Sequence, residues 1–144
     1  MQEASDLDFC GLMLWIDRRQ FPDAVEAWDG NWLCFRARME ADGATVRCDG
    51  PFLMTTDIAR FRDQLHAMNQ TLEGEASLKP LEPALAVVLR MQGRGQIEGV
   101  VEITPDHMSQ RHRFVVEADQ SYLPPLIASC DAILARFPVV GSED

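Results

Sequence analysis

Six segments of this chain read as β-strands, and they come in two groups of three, each group followed by a helix with one apolar stripe. That repetition restricts the fold more than any single motif, because period-two alternation selects strands while a spacing of three and four selects helices. The first segment, about Leu7 to Ile16, is apolar on both faces and is expected to lie centrally in a sheet covered on both sides. The second, about Trp32 to Glu40, alternates cleanly, with Leu33, Phe35, Ala37 and Met39 set against Cys34, Arg36, Arg38 and Glu40. Asp42-Gly43 is a hairpin signal that returns the chain as a third strand, Ala44 to Asp49. Gly50-Pro51 then ends the pairing, since proline cannot donate to a ladder.

Ile58, Phe61, Leu65, Met68 and Leu72 form the stripe of the first helix. Thr55 or Thr56 is expected to cap it, and Asp57 suits the positive end of its dipole. After an acidic loop, Glu73-Gly74-Glu75, and the prolines Pro80 and Pro83, the pattern repeats with strands over about Ala84 to Met91, Gln96 to Ile103 and Arg111 to Ala118. A final helix carries Leu123, Leu126, Ile127, Cys130, Ile133, Leu134 and Phe137 on one side, with Pro124 and Pro125 tolerated only in its first turn. The expectation is an α+β fold: a largely antiparallel sheet of about six strands with two packing helices, in the order βββα-βββα. One domain spans residues 1–144, with an ordered core over about 7–140.

Charge narrows the function. Thirteen basic residues against 23 acidic ones leave −10. Direct nucleic-acid binding is disfavoured, because phosphates demand a basic patch and the arginines here are scattered among carboxylates. Acidic cytosolic proteins are common and gain solubility from their charge; the sharper reading is an acidic face that steers association with a basic protein. No apolar run reaches the roughly 18 residues of a membrane span, and Met1 to Asp6 lacks the basic start of a signal peptide, so a cytoplasmic location is expected.

Catalytic constellations are hard to find. Cys10, Cys34, Cys48 and Cys130 lack metal or redox spacing, and they read as small hydrophobes in three strands and one helix. His66, His107 and His112 form no HxH or HxxxH pair. Gly93-Arg94-Gly95 lies between strands with no lysine or helix following, so it reads as a hairpin turn rather than a phosphate loop. Glu98 and Glu102 share an outward face and are expected to neighbour Arg111 and Arg113 across strands rather than to form an acid–base pair. The expectation is a protein without catalysis, metal or cofactor.

The segment Trp28-Asp29-Gly30-Asn31-Trp32 is the strongest contact candidate. Two tryptophans around an acidic turn have the composition of an interaction hot spot, and Glu26, Trp28, Asp29 and Trp32 are its expected partner-binding residues; the open alternative is that Trp32 packs at the sheet edge while Asp29 and Asn31 only make the turn. Trp15 reads as core. Two alternatives stay open. One is a small-molecule-binding or enzymatic domain with a pocket between sheet and helices, lined by Met13, Trp15, Phe35 and Met39; the other is a homo-oligomer joined through strand edges or the Val88, Val100 and Val115 stripe.

Four landmarks punctuate the chain: Asp29-Gly30-Asn31-Trp32-Leu33, Phe52-Leu53 with Thr55 before a helix, Leu65 late in that helix, and Leu81-Glu82-Pro83 before an apolar strand. Their order and spacing, over about Phe21 to Phe137, resemble the WapI-type immunity proteins, small bacterial proteins of contact-dependent toxin systems. The resemblance implies a partner: a cognate toxin, often a nuclease, that the protein binds and silences. It transfers no mapped functional residue.

Overall fold

Each group of strands folds as an antiparallel meander, but with four strands rather than three. The computed structural model describes residues 3–141, and among these are eight strands and three α-helices. The first sheet runs β1 (Leu7–Phe9), β2 (Leu12–Arg19), β3 (Trp32–Ala41) and β4 (Ala44–Met54), in that spatial order. A single turn, α1 (Ala27–Gly30), interrupts the β2–β3 connection, and α2 (Thr55–Thr71) follows β4. The second sheet runs β5 (Glu75–Leu78), β6 (Leu85–Met91), β7 (Gln96–Ile103) and β8 (Arg113–Asp119), and α3 (Leu123–Arg136) follows.

The expected six strands become eight for two local reasons. The segment Leu7 to Ile16 is not one strand: Cys10 (φ 50°) and Gly11 (φ 98°) reverse it, pairing Phe9 with Leu12 and Leu7 with Leu14. A left-handed conformation at cysteine is uncommon and leaves no compositional trace. Cys10 therefore sits in a turn, not a strand. In the second half, Glu75–Leu78 pairs with β6 (Ala76 opposite Leu89), although its acidic start reads as loop. Four residues are too few to display an alternation. The third helix, α1, falls in the segment read as an acidic connection and turn.

The apolar faces of both sheets and the stripes of α2 and α3 share one hydrophobic cluster, in which Leu12, Leu14, Leu33, Leu53, Ile58, Leu65, Leu89, Val101, Ile103, Leu123 and Cys130 are fully buried. The sheets meet closely at Gly99, where a Cβ would lie 3.1 Å from the Phe9 ring and 2.8 Å from Val116. The helices pack on each other, and the Arg62 guanidinium on α2 reaches Asp131 on α3 at 2.9 Å. Leu72 leaves the α2 stripe: it takes the left-handed C-cap conformation (φ 55°) and is exposed. Pro124 and Pro125 occupy the first turn of α3, where missing donors cost nothing.

The outer face of β2 is not covered by a second layer. Trp15 is buried there by the guanidinium groups of Arg36 and Arg38, each 5.4 Å from its ring, and its indole N–H donates to the Glu3 carbonyl at 3.1 Å. Phe35 and Met39 lie on the opposite, inner face, each 1% exposed. Met13, Trp15, Phe35 and Met39 thus divide between two faces and line no common pocket.

Candidate functional site

The β2–β3 connection is the longest excursion in the first sheet, and its shape follows from one buried side chain. Asn31 is fully buried, and its amide makes four hydrogen bonds. The Nδ2 group donates to the carbonyls of Ala27 (2.7 Å) and Val140 (3.0 Å); Oδ1 accepts from the Thr55 hydroxyl (2.6 Å) and the Val140 N–H (2.8 Å). Thr55 N–H also donates to the Asn31 carbonyl at 2.8 Å. One amide therefore ties α1, the start of α2 and the C-terminal tail together, and satisfies itself in doing so.

This arrangement corrects the expected helix cap. Thr55 spends its hydroxyl on Asn31, so the N-terminus of α2 is closed instead by Asp57, whose carboxylate accepts from Met54 N–H at 2.9 Å. Burial raises the Asp57 pKa above its ordinary value, outweighing that hydrogen bond and the nearby Arg60. Arg19 adds a second clasp, donating to the Gly30 carbonyl at 2.7 Å and to the Pro138 carbonyl. Gly30 is required by proximity: a Cβ there would stand 2.3 Å from Val140 Cγ2 and 2.9 Å from the Ala24 carbonyl oxygen. Much of the Asp29-Gly30-Asn31 landmark is thus structural.

Its neighbours point outward. Trp28 projects from α1 at 61% exposure, and its ring meets Trp32 edge to face with centroids 5.3 Å apart. Glu26 and Asp29 are exposed on either side. Of the four expected contact residues, Glu26, Trp28 and Asp29 are accessible; Trp32 is 8% exposed and supports Trp28 from below.

Trp32 also borders an open groove of about 520 Å³ between the ends of the two sheets. Gln20, Pro51 and Phe52 complete its first wall; Leu81, Glu82, Pro83, Ala84, Pro105 and His107 form the other. Charge and periodicity in the sequence carry no hint of this groove, because its walls lie about fifty residues apart in the chain.

Other candidates disperse. The buried thiols of Cys48 and Cys130 are pushed up to about 11 and about 12, so they stay protonated and unreactive. Among the described residues no three His, Cys, Asp or Glu side chains are placed to hold a metal ion. Gly93–Gly95 is a 3₁₀ turn joining β6 to β7. Glu102 stands opposite Arg113, whereas Glu98 lies between Arg90 and Glu117; Arg111 precedes the strand. Val88, Val100 and Val115 form one row across β6, β7 and β8. Among the described residues no helix is long and apolar enough to cross a membrane.

The fold is a pair of four-stranded antiparallel meanders with packing helices, and its long-loop end leaves Trp28 exposed. Residues 4–138 match the Immunity protein WapI-like family, and the chain belongs to that family. No curated protein and no solved structure matches it.

Proposed function

We propose that this protein acts as one non-enzymatic domain that binds a cognate protein toxin in the cytoplasm and silences it. Family membership over nearly the whole chain is the observation that carries this reading. The charge of −10 favours a basic partner, as a nuclease toxin is, since a nuclease must carry cations for phosphate. Glu26, Trp28, Asp29 and Trp32 are the contact residues of this reading: a braced aromatic anchor between two exposed carboxylates. Rigid placement matters, because an anchor that is already ordered loses little entropy on binding.

The test is a complex with a basic cognate toxin domain, measured at low and at moderate salt, together with rescue of cells expressing that toxin. Tight binding that weakens as salt rises supports the reading. A protein that ignores every such domain and takes up only a metabolite ends it. A second reading, self-association, is favoured by the valine row of β6 to β8; elution as a monomer in gel filtration disposes of it.

A further inference from the structure

We infer that the docking surface is the whole long-loop end of the molecule, and that it takes a partner segment in which an apolar side chain is flanked by lysine or arginine. The inference rests on the toxin-binding reading and extends its surface beyond the Trp28 loop to two loops of the other sheet.

Three connections meet at the groove: Gln20 to Asn31, Lys79 to Ala84, and Thr104 to His112. They amount to about a fifth of the described chain. Yet they hold five of its nine exposed large hydrophobics: Phe21, Val25, Trp28, Leu81 and Met108. Scattered apolar residues are normal on a surface, whereas concentration at one end marks a site of contact.

Charge on the same loops is net acidic, with the excess on the Trp28 loop. Asp23, Glu26, Asp29, Glu82 and Asp106 are all exposed, against two exposed cations, Lys79 and Arg111. A second copy of this chain would bring carboxylates against carboxylates, so the occupant is a cationic partner rather than a twin.

Each anchor is also held in place. Trp28 stands on the turn secured by Asn31. Leu81 lies between Pro80 and Pro83, which restrict the backbone on both sides. Met108 rides on a turn closed by Asp106, whose carboxylate accepts from the Met108 N–H at 3.1 Å and the Ser109 hydroxyl at 2.7 Å. Exposed apolar groups on stiff supports, ringed by carboxylates, have the anatomy of a preformed interface.

The experiment measures the Kd of the cognate toxin domain for wild type, Leu81→Arg and Met108→Arg. Both side chains are exposed, at 70% and 84%, so circular dichroism and thermal melting are expected to match wild type. Each substitution places a cation where a cation must dock, and a loss of at least about tenfold is expected. Asp42→Lys and Arg94→Glu, in the short turns of the strand hairpins, are expected to bind within about twofold of wild type. If Leu81→Arg and Met108→Arg bind like wild type while Trp28→Ala fails, the surface is confined to the first loop and the inference is wrong. Loss of binding in Asp42→Lys or Arg94→Glu instead also overturns it. Absence of any wild-type complex defeats the toxin reading itself, a distinct result.

Discussion

The two ends of each meander are built to opposite specifications. At one end the strands turn back in two to four residues: Cys10-Gly11, Asp42-Gly43 and Gln92-Gly93-Arg94-Gly95. At the other the connections run from Gln20 to Asn31, Lys79 to Ala84 and Thr104 to His112. Tight turns use backbone geometry, with φ positive at Cys10, Gly11, Gly43, Arg94 and Gly95. Long loops use side chains: Asn31 for one, Asp106 for another and paired prolines for the third. The difference teaches that a short reversal leaves no room for a binding surface, while a braced excursion can raise apolar and charged groups clear of the sheet.

The contrast breaks most severely at Asn31. Asn31→Ala leaves two carbonyls, one N–H and one hydroxyl without their partner, and a loss of about 2–4 kcal/mol is expected in urea unfolding. Asn31→Asp is expected to be at least as damaging at neutral pH, because a buried carboxylate would face the Ala27 and Val140 carbonyls. An unchanged unfolding midpoint in either variant would show that the tail and α1 are not fastened through this residue.

Trp28→Ala tests the same end without touching its brace. Its ring is mostly exposed, so unfolding should move by less than about 1 kcal/mol, while affinity for the toxin domain falls by about 10- to 100-fold. Equal losses of stability and affinity would make Trp28 a packing residue.

At the tight end the sensitivity is to backbone. Gly43 sits at φ 79° with open space around it, so Gly43→Ala is expected to cost about 1 kcal/mol of stability, and Gly43→Asn less. Toxin affinity should not change in either. Equal stability of the alanine and asparagine variants would remove the backbone explanation.

The smallest effect is at Asp57. Its folded-state pKa is raised by burial, so the native state binds a proton more tightly than the unfolded chain, and this group's contribution to stability falls as pH rises through the window above 3.8. Asp57→Asn keeps an acceptor for Met54 N–H and removes the charge. A flatter stability profile across that window is expected, with a change at pH 7 of under about 0.5 kcal/mol. A drop of more than about 1 kcal/mol at pH 7 would mean the ionised group is stabilising after all.

Strands with four or more alternating residues, such as β3 and β7, announced themselves, as did both amphipathic helices. What stayed hidden was short or left-handed. The β1–β2 reversal depends on a cysteine at φ 50°, and β5 is four residues long. Composition singles out Trp28 as a candidate for contact. It does not single out Leu81 and Met108, which come to the same end as Trp28 only through the pairing of two separate sheets.

Local chemistry in the chain was enough to specify two strand-rich halves each ending in a helix, an acidic composition, two of the four cysteines, Cys48 and Cys130, as core thiols, and a tryptophan-bearing turn. Periodicity and turn preference act over a few residues and need no fold to be read. Only the tertiary structure decided that Thr55 serves Asn31 rather than capping a helix, that residues 138–141 clasp α1, and that three loops share one groove. Those outcomes depend on which distant groups can satisfy a buried amide or share a solvent-facing end, and such partnerships exist only once the two sheets have closed on a common core.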